Sequence, residues 1–419
     1  MELNSILAEK RYAMYINRTA EKLVFKMLKM FKVILITGPR QIGKTTLLRH
    51  LLGESYSYVT LDDINELELA KEDAKLFFLN HSGKIIIDEV QNAPEIFNEI
   101  KRIVDSKEEY GTIILTGSQT FSLMNNITET LAGRIGIIEM NGLTLREIRG
   151  SAFDKPVIMT DEYLNRADTT TISVEKLWKT IHRGDMPELY RNKAAEWNLY
   201  YSSYIKTYIE RDVRMIVNVK NLNLFSKFMI ALAARTSQLL NYNILANELG
   251  VDLQTIRSWV SVLETSGIVT IVQPFSNNQL SRAIKTPILY FMNTGLVCYL
   301  LKWNTVETLT NGAMSGQILE TYVVSEIVKS FKNVGINNLP IYFYRDKDKK
   351  EIDVIIEDSG VLYPIEIKKT ATPKITMGKH LSILEKAQGY HVGSKVILCL
   401  IDKKMYVSSD IIAFPIMNI

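Results

Sequence analysis

The residues best suited to chemistry are Gly38-Pro39-Arg40-Gln41-Ile42-Gly43-Lys44-Thr45, followed by Thr46. They fit the spacing G-x-x-x-x-G-K-[ST], in which glycines let backbone N–H groups converge on phosphate oxygens. A helix opening at Lys44 points its positive end at the same anion. Lys44 is then placed to reach the outer phosphates, and the Thr45 hydroxyl to ligate Mg2+. Downstream, Lys84-Ile85-Ile86-Ile87-Asp88-Glu89 is an apolar strand ending in two acids. An acid at that strand edge lies beside the phosphate crevice. Asp88 is expected to hold Mg2+ through water, and Glu89 to polarise an attacking water. A third element, Thr112-Ile113-Ile114-Leu115-Thr116-Gly117-Ser118-Gln119, ends in polar residues just past an apolar run. Ser118 is the candidate for contact with the γ-phosphate or the water, and Gln119 the alternate. Together the three elements imply ATP and Mg2+ as cofactors.

A second constellation lies near the other end of the chain. Glu351-Ile352-Asp353-Val354-Ile355-Ile356 alternates as a strand, and a turn at Asp358-Ser359-Gly360 leads into Leu362-Tyr363-Pro364-Ile365-Glu366-Ile367-Lys368. Glu366 and Lys368 share a face because strand side chains repeat every two residues. Asp353 on the paired strand is placed to meet them, and Glu320 on a preceding helix adds a fourth group. In metal-dependent phosphodiester cleavage, carboxylates bind the ion, while a lysine positions water and offsets phosphate charge.

The elements that must position these groups follow from periodicity. Lys32–Thr37, Val59–Leu61, Lys84–Asp88 and Thr112–Thr116 read as buried strands separated by helical segments, which predicts a parallel sheet covered on both faces. Residues 160–222 read as helical, with tyrosines around 200–208 assigned to helix packing. Further on, Ile244–Asp252 and Leu253–Thr265 read as a helix-turn-helix, and the strand after Gly267 as the start of a wing. Gln254 and Arg257 point away from the apolar side of the second helix. They suit contact with a base edge and a phosphate or guanine, although a packing module would use the same apolar face. The expected organisation is an α/β phosphate-loop domain over 1–155, a helical connector over 156–224, a winged helix over 225–280 and a second α/β domain over 281–419.

Composition bounds the class. The chain has 419 residues, 47% hydrophobic and 23% charged, so it is a folded protein of several domains. Its net charge of +4 neither requires nor excludes nucleic acid. Cys298 and Cys399 lie far apart, which excludes a disulfide scaffold or zinc ribbon and fits a reducing cytoplasm. The histidines are scattered and suggest no metal role. Neither a signal sequence nor a membrane span is expected.

The order of the three N-terminal elements resembles AAA-type P-loop ATPases. More specifically, the chain resembles prokaryotic ATPases that join such a domain to a C-terminal domain of unknown function with the look of a PD-(D/E)XK restriction-endonuclease fold. The matching residues include Gly38–Gln41 with Gly43–Thr46, Ile87–Gln91, Thr116–Ser118, Leu131-Ala132-Gly133-Arg134, Tyr208–Val213, Glu351–Asp353 and Ile365–Lys368. His182–Glu188 departs from the Gly-Gly-aromatic-Pro-Glu of that family. The resemblance implies an arginine that completes the ATP site, for which Arg134 ranks before Arg211; either is also a candidate salt-bridge partner of a nearby acid. It further implies that Glu320, Asp353, Glu366 and Lys368 form a nuclease-like site. The expected function is an ATPase whose nucleotide state controls the winged helix and nuclease-like region, with DNA and a second copy of the chain as candidate partners. The alternatives are an ATP-activated DNA endonuclease and a non-catalytic ATP-binding scaffold.

Overall fold

The computed structural model describes residues 15–117, 127, 130–166, 172–207, 222–276, 286–347 and 350–419. Five strands form the N-terminal sheet: β1 (Val33–Thr37), β2 (Ser57–Thr60), β3 (Ile85–Asp88), β4 (Ile113–Gly117) and β5 (Ile135–Glu139). All pairings are parallel, in the order β2-β3-β4-β1-β5. Successive β1 residues point to opposite faces. Ile34 and Ile36 join the core that holds Leu47 and Leu48, whereas Val33 and Leu35 join the core of Phe77, Phe97 and Ile100. Helices on both faces are why the central strands are unbroken Ile, Val and Leu runs. Among these helices are α1 (Glu21–Leu28), α2 (Lys44–Leu52) and α3 (Ile96–Asp105).

The four expected strands are present within a residue or two. β5 was not expected. It is an edge strand with alternating burial, and Gly136 and Glu139 interrupt its apolar pattern.

Among the described residues, the rest of the chain builds around one mixed sheet of ten strands. Its first part comprises α4 (Leu222–Ala233), the short β6 (Gln238–Leu239), α5 (Tyr242–Leu249), α6 (Leu253–Thr265), β7 (Val269–Pro274) and β8 (Ile288–Phe291). Gly250 takes a left-handed conformation at the end of α5, and Asp252 caps α6 by accepting from the Thr255 N–H. These two residues make the turn between the helices. α6 buries Ile256, Trp259, Val260 and Leu263, and Trp259 lies edge-on to Phe225 of α4.

β7 pairs antiparallel with β8 and parallel with β9 (Ile341–Arg345). The helix-turn-helix region therefore shares its sheet with β10 (Glu351–Asp358), β11 (Val361–Lys368), β12 (His391–Val392), β13 (Lys395–Cys399), β14 (Met405–Tyr406) and β15 (Ile411–Pro415). Ile288–Phe291 falls in the stretch assigned from sequence to the last domain, yet it pairs with β6 and β7. Between β8 and β9 runs α7 (Ser315–Lys332), buried on most of its faces. No helix among the described residues is long and apolar enough to cross a membrane.

Candidate functional site

The loop from Gly38 to Gly43 connects β1 to α2 at the C-terminal edge of the first sheet. Its two glycines are required for different reasons. Gly38 has φ +142° and presses on the backbone behind it, so that an added Cβ would sit 2.1 Å from the Met140 carbonyl oxygen. Gly43 has φ +91° at the residue preceding α2. Gln41 also lies in the left-handed region, at φ 60°. Successive left-handed residues of this kind let a loop gather its amides around an anion. Lys44 is buried, and its ammonium donates to the carbonyls of Gly38 (3.0 Å) and Pro39 (2.8 Å).

Asp88, at the end of β3, stands against the start of α2. Its Oδ2 accepts from Thr45 Oγ1 at 2.8 Å and from the Tyr58 hydroxyl at 2.7 Å. Its Oδ1 accepts from the Thr116 hydroxyl and from the Glu89 N–H. Burial and the neighbouring carboxylate hold the Tyr58 phenol protonated well above its ordinary range. A hydroxyl and a carboxylate side by side are hard oxygen donors, and the pair fits Mg2+. Glu89 follows in a left-handed conformation (φ 56°), and its carboxylate accepts from the Gln91 amide. Of these, Tyr58 carried no sequence signal. Thr116 did, as a lone polar residue ending an apolar run.

Two of the expected site residues, Ser118 with its alternate Gln119, lie outside the described residues, as does Arg211. Arg134 is not brought to the loop. It precedes β5, whose first residue Ile135 is level with Val33, whereas the loop follows Thr37 at the opposite end of β1. That separation is one strand length, about 15 Å. Arg134 instead donates to Ala132 O (3.1 Å) and to Asp105 Oδ2 at the end of α3 (3.0 Å). It is the salt-bridge partner of a nearby acid, because the start of a parallel strand and the end of its neighbour lie on opposite sheet edges.

The C-terminal constellation does assemble. Lys368 Nζ lies 2.6 Å from Glu366 Oε1 and 3.6 Å from Asp353 Oδ2. A register irregularity between Ile352 and Ile355 in the pairing of β10 with β9 re-aims the strand at Asp353, whose Oδ2 accepts from the Ile367 N–H at 2.7 Å. Glu320 reaches the same group from α7 and accepts from the Tyr290 hydroxyl at 2.7 Å. Burial, with the Asp353 charge second, pushes Glu320 up to about 8 and Glu366 up to about 7; burial also raises Asp353. Burial alone would lower Lys368, but the charges of Asp353 and Glu366 outweigh it and hold the ammonium above its usual value. Glu366 Oε2 is buried with no hydrogen-bond partner among the described residues. Three acids around one lysine suit a cation or a polyanion bridged by one. Among the described residues, however, no three His, Cys, Asp or Glu side chains converge as a ready metal site.

On α6, Gln254 and Arg257 are exposed, and the Arg257 guanidinium lies 5.9 Å from the centre of the Tyr242 ring. This region also touches the phosphate loop. Gly267, in the turn between α6 and β7, lies so near Pro39 that an added Cβ would be 3.1 Å from its ring. A second contact joins α7 to the N-terminal unit. The buried Lys329 ammonium is 2.7 Å from Asp185 Oδ2, 3.4 Å from Glu326 Oε1 and 3.3 Å from the Leu143 carbonyl oxygen. Glu326 Oε2 accepts from the Leu145 N–H at 2.7 Å.

Comparison with known proteins gives three matched regions. Residues 30–149 match an AAA domain family, residues 174–307 a domain of unknown function (DUF8612), and residues 315–419 another (DUF4143). Uncharacterised proteins of Mycobacterium tuberculosis and Mycobacterium bovis are each 29% identical over 355 residues, covering 84% of this chain and 74% of theirs. Similar solved structures include a Walker-type ATPase of Pyrococcus abyssi, at 12% identity and TM-score 0.40, with 68% of this chain and 96% of that one covered. The RuvB Holliday junction branch migration motor of Thermotoga maritima is similar at 16% identity and TM-score 0.31, with 60% and 88% covered. The unit that carries Lys44, Thr45 and Asp88 lies within the stretch that matches the AAA domain family.

Proposed function

We propose that the protein is a Mg2+-dependent ATPase whose nucleotide state controls its helix-turn-helix region and C-terminal domain, and that these act on DNA. The observation that carries the ATPase reading is the corner where Thr45, Thr116 and Tyr58 all donate to Asp88 beside the glycine loop. ATP takes its place against the loop amides, with its outer phosphates drawing Lys44 from the carbonyls of Gly38 and Pro39. Mg2+ held by Thr45 and Asp88 supplies charge neutralisation at the phosphates. The Glu89 carboxylate takes the proton from the attacking water. Ser118 and Gln119 remain candidates for contact with the γ-phosphate.

Control of the remainder rests on the contact of Gly267 with Pro39. A change in the carbonyl that Lys44 holds is felt at the turn that anchors α6. In this reading α4 to β8 form a winged helix, and Gln254 and Arg257 face DNA.

A second reading is an ATP-activated endonuclease. It is favoured by the assembly of Glu320, Asp353, Glu366 and Lys368 into one partly buried group. An ATPase assay with and without single-stranded and duplex DNA, run beside a cleavage gel with Mg2+ and Mn2+, separates the two. Turnover without cleavage supports the first, cleavage lost in Lys368→Ala supports the second, and tight ATP retention without turnover would leave only a scaffold.

A further inference from the structure

Arg18 lies outside every motif and is buried at 6% exposure beside the phosphate loop. Its Nη1 donates to the Ile42 carbonyl at 2.8 Å, and its Nη2 to the carbonyls of Asn141 (2.6 Å) and Gly142 (3.3 Å). Its Nε lies 3.3 Å from Glu147 Oε1. Glu147 is itself fixed, because its two oxygens accept from the N–H groups of Thr19 (2.7 Å) and Thr144 (2.8 Å).

Two consequences follow for the loop. Across a trans peptide the C=O of one residue and the N–H of the next point in opposite directions. No described peptide bond is cis. Holding the Ile42 carbonyl therefore aims the Gly43 N–H away from Arg18. The second consequence concerns Gly38, which is backed by the Met140 carbonyl. Asn141 and Gly142 continue that segment, so one guanidinium fixes the last residue before Gly43 and the wall behind Gly38.

We propose that Arg18 is a positioning residue for nucleotide binding: its guanidinium, anchored by Glu147, holds the phosphate loop in the shape that presents the Gly43 amide to a phosphate. The proposal rests on the reading that this loop binds ATP. A lysine at position 18 keeps the charge beside Glu147 but lacks the planar fork that serves three carbonyls at once.

The test is steady-state ATP hydrolysis and ATP titration on the full chain, comparing wild type, Lys44→Ala and Arg18→Lys, with circular dichroism as the check on folding. Arg18→Lys should raise KM and Kd for ATP by about tenfold, the loss expected for charge-assisted hydrogen bonds, with kcat within about threefold of wild type. A purely structural role would lower the thermal midpoint and leave KM unchanged in the folded protein. Should Arg18→Lys fail to fold, Glu147→Gln decides, because it keeps an oxygen acceptor for one of the Thr19 and Thr144 amides and removes the charge that anchors Arg18; KM should rise by about threefold in a variant that circular dichroism shows to be folded. An unchanged KM in the folded variant overturns the proposal. Absence of ATP binding by wild type would instead overturn the reading beneath it.

Discussion

Thr45 and Asp88 are 43 positions apart in the chain, yet the hydroxyl of one donates to the carboxylate of the other at 2.8 Å. The parallel pairing of β3 with β4 and of β4 with β1 brings them together, since it sets the C-terminal ends of all three strands along one edge. That edge is where an open parallel sheet places its ligands. Asp88→Asn should therefore abolish Mg2+-dependent turnover with only a modest loss of fold, because the amide oxygen still accepts from Thr45 or Thr116. Asp88→Ala strands the buried hydroxyl of Thr116 as well, and should cost about 1–3 kcal/mol in a urea unfolding titration.

Glu89→Gln separates binding from chemistry. The amide fills the same space beside Gln91 but takes up no proton. Turnover should fall by about 10²- to 10⁴-fold while ATP affinity stays near wild type, as measured by phosphate release and by titration. Equal loss of both would make Glu89 a structural residue.

The C-terminal group predicts a pH dependence. Glu320 and Glu366 have folded-state values of about 8 and about 7, above the ordinary carboxylate range. The folded state then binds more protons than the unfolded one, so stability is greatest at acid pH and falls as pH rises from about 5 towards 8. The thermal midpoint should drop by a few degrees over that window, and Glu320→Gln should flatten the slope. A Mg2+ or Mn2+ ion that binds these acids should restore part of the loss at pH 8.

Lys329→Met should destabilise the protein by about 3–5 kcal/mol, because Asp185 and Glu326 would be left buried without their cation. Denaturant unfolding monitored by tryptophan fluorescence measures it. By contrast, Arg134→Ala should leave ATP binding and unfolding stability nearly unchanged, since its ion pair with Asp105 is on the surface.

Legibility from sequence followed locality. The phosphate loop, the β3 acids and the Glu366–Lys368 face are each set by a few consecutive residues, and their spacing carried them. β5 escaped because an edge strand needs only half its residues apolar. The place of Arg134 relative to the loop was not legible, because a four-residue match does not say which end of a parallel strand it adjoins. Tyr58 and Arg18 were unreadable for a deeper reason. Tyr58 meets Asp88 only through the pairing of β2 with β3, and Arg18 meets Ile42 and Asn141 only in the folded chain. Nothing within a few residues of either marks the contact.

The central claim is that the cup between β1 and α2 binds ATP for hydrolysis. Titration of the full chain with ATP and Mg2+, followed by phosphate release, tests it most directly against Lys44→Ala. Wild type should bind and turn over ATP, and the variant should lose turnover by about 10²-fold or more. Equal turnover in the two proteins, or a wild type that binds no nucleotide, would contradict the account.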